Sequence, residues 1–116
     1  MNVVLWVVQA LLALLFAMSG VVKLVEPMEK LAGRYPWVHD FSARTVRLIG
    51  VLEVLGAVGV LVPVLAPLAA TGLAVLMALA AGVHVRRRER SAVPITAALL
   101  ALSAFVAWGR FGPYGW

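Results

Sequence analysis

The sequence predicts an all-α fold: a four-transmembrane-helix bundle with a short interfacial segment between the first and second helices. Three observations predict it. Hydrophobic residues make up 64% of the 116-residue chain and charged residues only 13%, against about 25% charged in a soluble domain. Mean hydropathy is +1.02, and a water-soluble domain of this size buries too little surface to hide that many apolar side chains. The charges also gather in stretches separated by apolar runs of helix length. The length suits one domain, residues 1–116.

The first span is expected over about residues 3–22, enough to cross roughly 30 Å of hydrocarbon. Ala17-Met18-Ser19 resembles a signal-peptide cleavage site. Yet no basic residue precedes the run, and its first cation, Lys23, lies at the far end. A cleaved leader starts with a basic region, so the run reads as a membrane helix. Residues 26–44 connect it to the second span. Pro27 can open a helix, Met28, Leu31, Ala32 and Tyr35 fall on one face, and Gly33 and Pro36 end it early. This pattern predicts an amphipathic segment in the membrane interface, anchored by Tyr35, Trp37 and Phe41.

The second span is expected over about residues 45–62, capped by Asp40 or Ser42. Pro63-Val-Leu-Ala-Pro67 then predicts a tight turn. The third span covers about 68–85 and ends in Arg86-Arg-Arg-Glu-Arg90. Ser91 is placed to cap the fourth, about 92–108, with Pro94 tolerated in its first turn.

Lys23, Lys30, Arg34, Arg44 and Arg47 lie in or beside the first connection, and Arg86, Arg87, Arg88 and Arg90 at the third; only Arg110 lies opposite. This asymmetry predicts a multi-pass protein of the cell membrane with both connections cytoplasmic and both termini extracytoplasmic. Trp6, Trp108, Tyr114 and Trp116 would form an outer aromatic belt, and Arg110 is expected to snorkel to the outer head groups, with an inward role closing the bundle's outer end as the alternative. Topology accounts for the net charge of +5 without nucleic acid as a partner. Ala70, Ala74, Ala78 and Gly82 recur every fourth residue on the third span, and Ala10, Ala13, Ala17 and Gly20 form a stripe on the first. Both predict close helix seams, within the bundle or toward a second copy or a larger membrane partner.

One carboxyl group, Glu53, sits inside the second span. A charge at mid-helix costs about 2.5–3.5 kcal/mol on insertion scales, so such a group turns inward and takes a partner. Glu53 shares a face with Gly50 and Ala57. Lys23 closes the first span, Ser19 lies one turn deeper on the same face, and His84 lies near the same end of the third span. These four residues are expected to converge in the cytoplasmic half of the bundle. Three readings stand. Lys23–Glu53 can be a structural ion pair that fixes helix order. The cluster can bind a lipophilic molecule with a polar head, such as a quinone, and manage its protons. Or Glu53 belongs to a translocation path, for which four short helices leave little room.

With no cysteine in the chain, disulfides, thiolate catalysis and cysteine-held metal or iron–sulfur sites are excluded. His39 and His84 lie far apart and no His/Asp/Glu set shares a helix, so no metal site is expected. Gly50, Gly56 and Gly59 lack a following phosphate-binding lysine. Ser19 beside Lys23 is only superficially like a Ser–Lys hydrolase pair, because serine is a common packing residue in membrane helices.

Phe16-Ala-Met-Ser-Gly-Val-Val-Lys23, Tyr35-Pro-Trp-Val38, the run from Arg47 to Pro63, Met77 to His84 with Arg86 and Glu89, and Gly109-Arg110 together resemble the DoxX-like family of small integral membrane proteins. The resemblance implies a four-helix membrane bundle. It implies Lys23, Glu53 and His84 as the polar set, and Ser19, Gly20, Gly50 and Pro63 as structural positions. Its relatives include a subunit of an archaeal thiosulfate:quinone oxidoreductase and animal receptor-assembly chaperones. The resemblance therefore implies either an accessory or quinone-binding subunit of a membrane redox system, or a non-catalytic scaffold or assembly factor. The lack of cysteine argues against a thiol relay.

Overall fold

The computed structural model describes residues 1–112; Tyr114 and Trp116 of the expected belt lie outside them. The described residues form α1 (Asn2–Val25), α2 (Met28–Arg34), a 3-10 turn (Pro36–Asp40), α3 (Ala43–Gly59), α4 (Ala66–Arg86) and α5 (Ala92–Phe111). Local chemistry sets the ends. Glu26, ahead of Pro27, is extended at φ −79° and ψ 145°, as a residue before proline must be to avoid its ring. The Ser42 hydroxyl accepts from the Thr45 N–H at 3.2 Å and caps α3. α3 ends at Gly59 rather than 62, and the chain turns ahead of Pro63, which has no N–H to continue a helix. Ser91 holds the N-cap position of α5 but makes no side-chain cap bond. Its backbone is itself helical, at φ −70° and ψ −25°, not the extended form a capping serine adopts.

Three helices, α1, α4 and α5, are long and apolar enough to cross a membrane. α3 has 17 residues, roughly 25 Å at about 1.5 Å per residue, shorter than about 30 Å of hydrocarbon. Much of the apolar surface faces outward: Val7, Leu11 and Leu14 on α1, Leu55 and Val58 on α3, Leu68 and Leu79 on α4, and Ile95 on α5 are all exposed. That is the surface a lipid solvent would cover.

The helices pack as two pairs, α1 with α3 and α4 with α5. Glycine brings the first pair together. A Cβ on Gly20 would lie 2.7 Å from the Gly50 carbonyl oxygen, and a Cβ on Gly50 would lie 2.9 Å from that of Gly20. The two pairs meet where Leu5 packs on Gly109 and Leu73 on Gly56. The main core, which includes Leu5, Leu12, Phe16, Val60, Leu73 and Val106, joins them.

The expected α4 stripe is not a continuous seam. Ala70 is buried and Ala74 half-buried, but Ala78 and Gly82 are exposed. A four-residue step overshoots the helical repeat of about 3.6, so the stripe rotates out of any straight contact. On α1, Ala13 and Gly20 are buried and Ala17 half-buried, whereas Ala10 faces outward.

Candidate functional site

Lys23, in the last turn of α1, and Glu53, midway along α3, are 5% and 2% exposed. Lys23 Nζ donates to Glu53 Oε1 at 2.8 Å and to Ser19 Oγ at 2.6 Å. The glycine contact one turn away makes this reach short. Next to it, Arg47 donates to the Lys23 carbonyl oxygen, occupying one of the acceptors that a helix C-terminus leaves open.

The connecting segment folds back on the bundle rather than only lying along the membrane surface. Leu31, Val38 and Val46 form a second small core with Tyr35, Trp37 and Phe41 packed against it. Those aromatics were expected as interfacial anchors. Here the Lys23 ammonium lies 5.2 Å from the Tyr35 ring centre and 5.9 Å from that of Trp37, within cation–π range.

The site opens onto a cavity of about 670 Å³ between the two helix pairs, a volume typical of small-molecule sites. Ser19, Lys23, Glu53 and His84 all line it. The remaining wall is almost wholly apolar and aromatic, with Phe16, Leu52, Met77, Ile95 and the three aromatics of the connecting segment. Glu53 Oε2 is buried and accepts no hydrogen bond from the described residues.

His84 reaches the cavity but is not hydrogen-bonded to the Lys23–Glu53 pair. Its Nδ1 lies 2.8 Å from Glu89 Oε1. Arg87 Nε donates to Glu89 Oε2 at 3.4 Å, and its guanidinium also pairs with Asp40. The chain His84–Glu89–Arg87–Asp40 thus ties the end of α4 to the 3-10 turn. The Asp40 hydrogen bond is the main cause holding the Arg87 pKa above its ordinary value; desolvation opposes it, and the charge of Asp40 and then Glu89 add smaller upward contributions. Stability from a raised arginine pKa is fully present below its ordinary value, so this guanidinium stays charged at any working pH.

Arg110 corrects the expectation of snorkelling. It is 3% exposed; its Nε donates to Gln9 Oε1 at 2.8 Å and an Nη to Asn2 Oδ1 at 2.6 Å, and its guanidinium stacks 5.6 Å from the Trp6 ring centre. Gln9 donates in turn to the Val60 carbonyl oxygen. This second polar knot closes the opposite end of the bundle. A glutamine inside an apolar span was the available signal, since its amide must find a partner in lipid.

A helical membrane protein of this size, with a buried ion pair on the wall of a cavity between its helices, is the class the fold and site define. The chain belongs to the DoxX-like family, whose sequence profile matches residues 7–106. No curated protein and no solved structure matches the chain.

Proposed function

We propose that this DoxX-like protein binds a lipophilic molecule with a polar head, of the quinone class, as an accessory subunit of a membrane redox system. The carrying observation is the cavity of about 670 Å³ with the Lys23–Glu53 pair on its wall. Its apolar side suits a lipid-soluble body, and its polar wall suits a head group. Ser19 steadies Lys23, and His84 with Glu89 offers a path for protons toward the charged turn. In the bilayer α3 would be the fourth crossing, completed by the apolar turn of residues 60–65, with both charged connections cytoplasmic and both termini extracytoplasmic. A larger membrane protein or a second copy would cover part of the outward apolar surface.

A scaffold or assembly role has one observation in its favour: Lys23–Glu53 bridges α1 to α3 next to the Gly20–Gly50 contact, where a purely structural pair would also sit.

The test fills the cavity without touching the ion pair. Ala80 lines the cavity, and Ala80→Phe places a ring there. Protein in lipid nanodiscs is titrated with a short-tailed ubiquinone, in oxidised and reduced form, by calorimetry. Binding to the wild type that the variant loses, with helicity and melting unchanged, is the expected result. A wild type that binds neither form rejects the ligand reading in favour of the scaffold.

A further inference from the structure

We infer that the cavity selects a head group that donates a hydrogen bond from a neutral hydroxyl, a phenol or hydroquinone, over the matching carbonyl compound or an anion. The inference rests on the ligand-binding reading above and specifies which form that site takes.

The donors and acceptors that the described residues place on the polar wall leave one buried acceptor unpaired. Lys23 has three protons. Ser19 Oγ and Glu53 Oε1 take two of them, and the faces of Tyr35 and Trp37 lie beside the ammonium. The third Lys23 proton has ring faces beside it and no hydrogen-bond acceptor among the described residues, so a head-group oxygen, carbonyl or hydroxyl alike, can accept from it. Thr96 is committed, donating to the Ala92 carbonyl at 2.9 Å. Glu53 Oε2 is the opposite case: a buried carboxylate oxygen with no donor among the described residues. A carboxylate only accepts, and a buried acceptor left unpaired is costly. His84 Nδ1 is engaged by the Glu89 carboxylate at 2.8 Å and is not available to a head group.

The remaining donors on the wall are the Ser19 hydroxyl, which accepts from Lys23 and still has its own proton to give, the Tyr35 hydroxyl and the Trp37 N–H, all on half-buried residues. A quinone carbonyl brings only acceptors: it can take a proton from Lys23 or Ser19 but leaves Glu53 Oε2 unpaired, whereas a hydroxyl can do both. An anionic head adds repulsion from Glu53. A phenolic hydroxyl gives Oε2 the donor it lacks, and the aromatic neighbours suit a flat ring.

The test uses wild-type protein in nanodiscs under argon with four probes: decylubiquinol, decylubiquinone, the O-methylated ether of the quinol, and laurate. The quinol should bind at least about tenfold more tightly than the other three, the factor expected of one charge-assisted hydrogen bond. The ether matters because it keeps the ring and tail and removes only the donors. A Glu53→Gln variant supplies a second readout. Lys23 only donates, so it holds the amide oxygen of the variant at the Oε1 position and leaves the NH2 group where Oε2 lies. The preference should then reverse toward decylubiquinone. Equal affinities for quinol, ether and quinone, or a wild-type preference for the quinone, overturn the inference while leaving a ligand site in place. Failure of every probe to bind rejects the ligand reading itself, and this inference with it. If the variant does not fold, the four-probe comparison on the wild type decides alone.

Discussion

Replacing Lys23 by methionine keeps the length of the side chain and removes its charge. In the structure this strips Glu53 of its one cation, at 2.8 Å, and leaves a carboxyl group that is 2% exposed. Breaking a buried pair from one side costs about 3–5 kcal/mol, because the remaining charge is uncompensated. Glu53→Gln should cost less, about 1–2 kcal/mol, since Lys23 keeps Ser19 and an amide oxygen as neutral acceptors. The double variant removes both charges but leaves the Glu53→Gln amide buried without Lys23, so it should lie about 1–3 kcal/mol below the wild type, well short of the summed single costs, giving a coupling energy of roughly 2 kcal/mol or more. Reversible unfolding of the four proteins in bicelles by SDS titration measures all the terms of the cycle. Additive single costs, within about 0.5 kcal/mol, would refute the reasoning. They would mean that Lys23 reaches water and that Glu53 is neutralised by something else.

Gly20→Ala should destabilise the protein by about 1–3 kcal/mol, the usual cost of overpacking, because its Cβ would meet the Gly50 carbonyl oxygen and Val54 at 2.7 Å. Gly82→Ala, with nothing within 4 Å of the added carbon, should be neutral or slightly stabilising in the same unfolding assay. Arg110→Met should cost about 1–3 kcal/mol, because Gln9 Oε1 and Asn2 Oδ1 each lose a donor. Arg110→Lys should recover little of it, since one ammonium does not reproduce the planar fork that reaches both amides. A cost near zero would return Arg110 to the snorkelling role.

The inward turn of Glu53 was legible from sequence because the reasoning is local. Gly50, Glu53 and Ala57 share one helical face, and a lone carboxyl group in lipid has no cheaper direction to face. Lys23 and Ser19 were legible for the same reason, one turn apart at a helix end. What failed needed facts about the fold. Arg110 looks like an interfacial cation when only its own helix is considered; what draws it inward is a pair of amides 101 and 108 residues away. His84 takes its partner from Glu89, five residues on, across a turn that requires Arg88 at φ 59°, a left-handed conformation that sequence spacing does not announce. The aromatic wall over Lys23 was read as a lipid anchor because Tyr35, Trp37 and Phe41 suit either role, and only the return of the connecting segment onto the bundle decides between them.

The unequal treatment of the two ends explains why a cavity forms where it does. At the Arg110 end, one hydrogen-bonded chain links α1, α5 and the end of α3 through Asn2, Gln9 and Val60. Arg110 Nε and Nη1, Gln9 and Asn2 bond there to another element, and the core packs beneath them. At the other end the polar groups are divided. Ser19, Lys23 and Glu53 satisfy one another within the α1–α3 pair, and His84, Arg87 and Glu89 within the end of α4 and its turn. Among the described residues no hydrogen bond joins the two groups across the gap at that level. The Asp40–Arg87 pair joins the two groups only at the charged rim, where solvent screening makes an ion pair weak. A bundle tied strongly at one end and weakly at the other can open at the weak end at little cost. The separation that leaves Glu53 Oε2 without a donor is thus the same one that makes room for a molecule to supply it.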